Sequence, residues 1–286
     1  MEAPINELGH ALVALRGHCR GPVVFLGGSV TGDSVEPLYQ VLADLGRLEH
    51  VDLVLCSGGG SVVAARQLAL LCRDFARIVT VQVPRLARSA GTLLCLGADE
   101  LVLGPLAELS PVDALIGEAA PADQPQSFLA VEDVRAFPAM ARDWFGVTEP
   151  QDALQVLALL AQRVFPVSLG GFYRADAYIR GVATELLRWQ LPDAAPEELA
   201  AIVHSLVSGR VHEDVITRRD AADLGLRVRH PDGAHERALW DVWRAWDAEF
   251  RAGVLAAVAS EGGYARAAPA AEGSGSPFVS WTREVW

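Results

Sequence analysis

Lysine is absent from this 286-residue chain: its 24 basic side chains, all arginine, face 36 acidic ones. That absence excludes a Schiff-base lysine, a phosphate-loop lysine and a serine–lysine catalytic dyad. Basic charge is short overall, and the formal net charge of -12 leaves no basic face with which to neutralise phosphates, so nucleic acid is not an expected partner. Cysteine is scarce. Cys19, Cys56, Cys72 and Cys95 form no C-x-x-C pair, and three of them sit in the apolar runs VDLVLC, LALLC and GTLLCL, where a buried, reduced thiol is expected. No apolar stretch approaches the roughly 20 residues of a membrane span. The opening MEAPINELGHALVALRGHCRG carries acids and no cleavable hydrophobic segment, so a cytoplasmic protein is expected.

Hydrophobic residues make up 51% of the chain, enough for a sizeable core and too many for wholesale disorder. Val23–Leu26, Val51–Cys56, Ile78–Val83 and Leu101–Leu103 read as short buried strands. Helical spacing of apolar residues places helices at 34–45, 61–75 and 90–97 between them. Strands alternating with helices and carrying nearly continuous apolar content describe an α/β fold with a mostly parallel sheet. A Pro- and Ala-rich stretch at 117–130 reads as a long loop. Helices are expected at 131–145, 150–163, 173–189 and 196–208, and a further one opens at Thr217 and closes at Gly225. The organisation expected is a main domain over 1–228 and an aromatic-rich helical extension over 229–260 (Trp240, Trp243 and Phe250 near one stripe, Trp246 beside them). A flexible linker with a terminal strand is expected over 261–286.

Two turns carry the chemistry. In VDLVLCSGGGSVV a strand runs through three glycines directly into a helix. Glycine exposes backbone N–H groups there and the helix N-terminus adds partial positive charge, so the turn suits an anion or an oxyanion. The pattern is not G-x-G-x-x-G, so no dinucleotide cofactor is expected, and no metal site or other cofactor either. In VPRLARSAGTLLC a strand leads to Ser89 at the start of a helix whose first residues are small. Ser89 alone reads as an ordinary N-cap serine. Two successive strand–turn–helix units, however, bring their turns side by side at one end of a parallel sheet. A serine beside glycine N–H donors supplies two of the three parts of an acyl-transfer site.

The stretches GDSVEPLYQVLADLG, VDLVLCSGGGS, RSAGTLLCLGADELVLGPLAELSPVD, FPVSLGGFYRADAYIR and VHEDVITRRDAADLGL resemble the serine dehydrogenase proteinase family. That family lies within the superfamily of Clp-type proteolytic subunits, signal peptide peptidase A and crotonases. The resemblance covers roughly 22–228, and relatives carry Pro or Arg where this chain has Gly58. It implies the Clp/crotonase spiral of strand–strand–helix units with a helical C-terminal part, and assembly into homo-oligomers. It also implies Ser89 as nucleophile and an oxyanion hole from Gly59, Gly60 and the Ala90 amide, acting on a peptide or other acyl substrate.

The general base is where the resemblance gives out. Signal peptide peptidase A enzymes use a lysine, which this chain lacks. Clp-type subunits use a histidine, where this chain reads LGPLAELSPVDAL with Ser110 and Pro111. Arginine stays protonated and cannot substitute. His10, His18, His230 and His235 lie in outlying segments and read as solvated, His50 precedes the central strand, and His204 falls off the apolar face of its helix. His212 is the candidate base, with Glu213 and Asp214 beside it, although a structural role weighs against it. Glu108 and Asp113 read as turn caps. Three functions follow: a serine peptidase-like hydrolase, an inactive scaffold that assembles or binds partners, and a crotonase-type acyl-CoA enzyme with Glu108 as its carboxylate.

Overall fold

The computed structural model describes residues 7–113, 115–117, 128–164, 166–208, 214–249, 254–260 and 263–267. Helix α1 (Glu7–Arg16) precedes strand β1 (Val23–Gly27), which is buried throughout. A 3-10 turn at Gly32–Ser34 opens α2 (Val35–Leu45), and Gly46, at φ 73°, closes it. The chain continues as β2 (Leu48–Cys56), α3 (Val62–Phe75), β3 (Ala76–Val83), β4 (Leu86–Ala87), α4 (Ala90–Leu96), β5 (Glu100–Leu103) and β6 (Glu108–Leu109). A hairpin of β7 (Leu115–Gly117) and β8 (Phe128–Ala130) leads into α5 (Val131–Phe145), α6 (Pro150–Arg163), α7 (Pro166–Gln190) and α8 (Pro196–Val207). Last come β9 (Ile216–Thr217), α9 (Arg218–Asp223), β10 (Val228–Arg229), α10 (Gly233–Glu249), β11 (Val254–Ser260) and β12 (Gly263–Ala267).

The main sheet has the order β10-β5-β3-β2-β1-β11-β12. Its first five strands are parallel, and β11 and β12 continue it antiparallel. The fold is therefore α/β with a mainly parallel sheet, as the alternating pattern requires. Side-chain alternation divides the sheet into two faces. Leu53, Leu55, Val79, Val81, Leu101 and Leu103 pack under α2, α3, α4 and α7 in the larger core. Val23, Phe25, Val54 and Val102 face the other way, against Leu8, Leu12 and Leu15 of α1 and Leu239, Val242 and Trp246 of α10. Arg66 grips Glu185 with two bonds, Nε at 2.7 Å and a terminal nitrogen at 2.8 Å, and so ties α3 to α7. This planar two-point grip is one an arginine makes and a lysine cannot.

Several expectations are corrected. Residues 263–267, read as linker, form strand β12, and 254–260 of the helical extension form β11, because the β1 edge offers backbone partners from Val23 to Gly27. The terminal strand expected at 278–286 lies outside the described residues, as does most of 117–130. Helix α7 begins at Pro166 rather than 173. In α10 it is Trp246 that is buried, edge-on to Phe25, whereas Trp240 is exposed and Phe250 lies outside the described residues. Thr217 caps α9 through the Asp220 N–H as expected, and Gly225 closes it at φ 92°.

His235, read as solvated, is buried (3% exposed). Gln82 spends its amide N–H groups on Asp52 Oδ1 at 2.7 Å and Cys19 Sγ at 3.1 Å, so its Oε1 accepts from His235 Nε2 at 2.7 Å. The His235 ring stacks on His18 with centroids 5.4 Å apart. His50 lies inside β2, buried, with Nε2 2.9 Å from Thr80 Oγ1. Burial is the largest cause holding both pKa values below the usual histidine value; Arg229 and His18 add to it at His235, while Asp52 opposes it at His50. A histidine whose folded-state pKa is lowered is protonated first in the unfolded chain, so stability is lost as pH falls through the unfolded value. The melting temperature is expected to drop between about pH 7.5 and about pH 5.5, and His235→Gln should flatten that slope. A melting temperature that rises on acidification would refute this account.

Candidate active site

The two turns do meet. Ser57 N donates to Leu86 O at 2.9 Å and Arg88 N to Ser57 O at 2.9 Å, so the chain leaving β2 runs alongside the chain entering α4. The glycine turn is shaped from both sides. Ser57 Oγ accepts the Gly59 N–H at 3.1 Å and donates to Gly59 O at 3.3 Å. From the loop after β1, Val30 N donates to Gly59 O at 2.9 Å, and Val30 O leaves no room for a side chain at Gly60, where a Cβ would stand 2.1 Å from it. Gly59 and Gly60 adopt φ 122° and 146°, a region that favours glycine. Ser61 then caps α3 by accepting the Ala64 N–H.

Ser89 is half-buried and sits at the N-cap of α4 with φ 49° and ψ -112°. Among the described residues it is the only non-glycine residue with positive φ. A capping serine has extended backbone and turns its hydroxyl onto the first helical N–H groups. Ser89 makes no such bond. Its side chain instead lies over Gly59, where an added Cβ would come 3.1 Å from Ser89 Cβ and 3.7 Å from Oγ. The ordinary-cap reading is thereby excluded, and backbone strain at this residue points to function.

Of the three expected oxyanion donors, Gly59 has its N–H on Ser57 Oγ. No backbone bond among the described residues uses the N–H of Gly60 or of Ala90, the first helical residue of α4. The sequence did not reveal what holds Ser89: its N–H donates to Ser110 Oγ at 2.9 Å. Ser110 stands in the stretch searched for a histidine, so its position was legible and its partner was not.

His212 lies outside the described residues. His50 is about 23 Å along β2 from Ser57 at the usual strand rise, and its ring is bonded to Thr80. His204 is exposed on α8, as expected. Glu108, the acyl-CoA candidate, is bound to Arg85 and lies 3.3 Å from an Arg88 nitrogen, so it serves as a clamp between β4 and β6. Among the described residues no ionisable side chain is hydrogen-bonded to Ser89 Oγ, and no group of three or more His, Cys, Asp or Glu could hold a metal. The thiols offer no alternative nucleophile: burial pushes Cys72 up to about 12 and raises Cys56 and Cys95 well above the ordinary range.

A serine held off its own helix cap beside a glycine turn, at the carboxyl end of a parallel sheet, is an arrangement that acyl-transfer chemistry can use. Residues 32–133, which contain both turns, match the family of ClpP-like SDH-type serine proteinases, and the resemblance read from the sequence holds over that segment. Two uncharacterized proteins of Methanocaldococcus jannaschii are similar. One is 28% identical over 200 residues, 70% of this chain and 60% of its own length; the other is 37% identical over 68 residues, 24% and 23%. The chain thus spans 60% of the length of the first of these relatives. Among solved structures, a mutant of the 1510-N membrane-bound stomatin-specific protease in complex with a substrate peptide aligns at TM-score 0.47. Its identity is 15%, covering 75% of this chain and 76% of that one. A second mutant of the same protease aligns at 0.38 with 15% identity, covering 73% and 78%. The family match supports a serine peptidase-type function. Among the described residues no single helix is long and apolar enough to cross a membrane.

Proposed function

We propose that the protein is a serine peptidase-like hydrolase in which Ser89 Oγ attacks a peptide or other acyl carbonyl. The observation that carries this reading is the Ser89 backbone, strained to φ 49° and free of capping duty beside Gly59. The amides of Gly60 and Ala90 are the donors for the tetrahedral oxyanion, and Gly59 shapes the turn. The base that takes the Ser89 proton is assigned to His212, since the buried histidines, His50 of β2 and His235 of α10, are committed elsewhere. Four free cysteines suit a reducing, cytoplasmic setting. Ser89→Ala is expected to leave the melting temperature unchanged and to abolish labelling by a fluorophosphonate probe. Wild-type protein that stays unlabelled while a control hydrolase reacts would sink the reading.

A second reading, an inactive scaffold, draws on the absence of a described base at Oγ. Both readings share one expectation, assembly with further copies of this chain. Leu154 and Leu157, three residues apart on one side of α6, are half or more exposed, as are Trp144, Phe145, Val167 and Tyr173 on the flanking helices. Such an apolar face marks an interface. Within Pro150–Arg163 the only charged residues are Asp152 and Arg163, so two copies of a chain of net charge -12 meet there without like-charge repulsion. A dimer or larger ring is expected by light scattering, dissociating on Leu154→Glu with Leu157→Glu; a monodisperse wild-type monomer would contradict it.

A further inference from the structure

Holding a serine at positive φ costs on the order of 1–3 kcal/mol, and the conformation persists only where neighbours over-determine it. At Ser89 the neighbour is Ser110, just beyond β6. The Ser89 N–H donates to Ser110 Oγ at 2.9 Å, and the Ser110 hydroxyl donates to Pro111 O at 3.2 Å. The single hydroxyl hydrogen is therefore spent on Pro111, and the lone pairs of Ser110 Oγ are left to receive Ser89. Ser110 is itself held. Thr92 Oγ1, fully buried one turn into α4, accepts the Ser110 N–H at 3.1 Å and donates to Ser110 O at 2.8 Å, with Ala87 O at 2.9 Å sharing that hydrogen. Ser110 is 2% exposed, so an Ser89 amide deprived of it has no water to turn to on that side.

We infer that Ser110 is a positioning residue for the acyl-transfer site: its hydroxyl, locked by Thr92 and Pro111, holds the Ser89 backbone left-handed and so aims Oγ over the glycine turn. It touches the nucleophile's amide and not its oxygen, so it takes no proton in the reaction. Without it, Ser89 is free to relax to extended backbone. Its hydroxyl would then cap α4, accepting a helical N–H instead of facing a substrate. The same residue thus decides between an ordinary cap and a nucleophile. This inference rests on reading Ser89 as the nucleophile.

The test compares wild type with Ser110→Ala and with Ser110→Cys, which keeps the shape and weakens the acceptor. Fluorophosphonate labelling at several probe concentrations separates the limiting rate from the half-saturating concentration. Amide hydrogen exchange of Ser89 reads the clamp independently of activity. The limiting rate is expected to fall about 100-fold in Ser110→Ala, and less in Ser110→Cys, with half-saturation and melting temperature unchanged and Ser89 exchange accelerated. Should Ser110→Ala fail to fold, Ser110→Cys carries the same comparison. Wild-type labelling rates and unchanged Ser89 exchange in both variants would overturn the role of Ser110 and leave the nucleophile standing. Parallel loss of half-saturation and melting temperature would also overturn it, by showing general loosening. Unlabelled wild type would overturn the nucleophile and, with it, the positioning role.

Discussion

Gly60→Ala is expected to destabilise the protein by more than about 3 kcal/mol and to end fluorophosphonate labelling. The added Cβ would sit 2.1 Å from Val30 O, 2.8 Å from Val30 C and 2.9 Å from Val30 N, all backbone atoms that cannot swing aside. The φ of 146° adds its own penalty for a residue with a side chain. Relief requires the loop after β1 to withdraw, which breaks the bonds from Val30 N to Gly59 O and from Ser61 N to Val30 O. Those bonds define the turn on which the proposed oxyanion site rests. Gly58→Ala is the control: a Cβ there meets nothing within 4 Å, and its φ is not in the left-handed region. Urea unfolding and probe labelling of the two variants give the comparison. A Gly60→Ala protein that melts and labels like wild type would refute the geometry of the turn.

Asp52→Ala is expected to cost about 3–5 kcal/mol, the usual penalty for deleting one partner of a buried, hydrogen-bonded charge. Asp52 is 1% exposed and accepts from Arg20 N at 3.1 Å, Gly21 N at 2.9 Å and Gln82 Nε2 at 2.7 Å, with His50 Nε2 3.6 Å away. Removing the carboxylate strands these donors in a site closed to water. The damage spreads along two routes. The segment joining α1 to β1 loses its tether to the sheet, and Gln82, which carries His235 of α10, loses its own anchor. Asp52→Asn, which keeps the shape and one acceptor oxygen, should cost less. Urea unfolding reads the difference, and protection from hydrogen exchange in α10 should fall with it. A loss below about 1 kcal/mol for Asp52→Ala would show that the network is solvated or redundant.

Legibility from sequence varied with the range of the interactions involved. The runs VVFLG, LEHVDLVLC and ARIVTVQV were recognisable as strands because burial on both faces leaves nearly continuous apolar content. The buried polar exceptions inside them, His50, Asp52, Thr80 and Gln82, all lie on the face covered by α1 and α10. The pairing of Gln82 with His235, 153 residues later in the chain, follows from no local pattern. Strands β11 and β12 were missed for a related reason. VLAAVAS and GYARA are weak as strands in isolation and gain their conformation from the β1 edge.

The sequence by itself determined the α/β alternation, the neighbouring turns that carry Ser89, Gly59 and Gly60, and, through the missing lysine, the exclusion of one entire class of base. These are properties of composition and of short, periodic segments. Only the tertiary structure decided that Ser89 is not an ordinary cap. A serine before Ala-Gly-Thr is compatible with capping or not, and here its amide is bonded to Ser110, 21 residues later in the chain and just beyond β6. The tertiary structure likewise turned Glu108 from an expected turn cap into the clamp between Arg85 and Arg88. Side-chain roles depend on which groups the fold brings within hydrogen-bond reach, and that is a property of packing across the chain, not of any window along it.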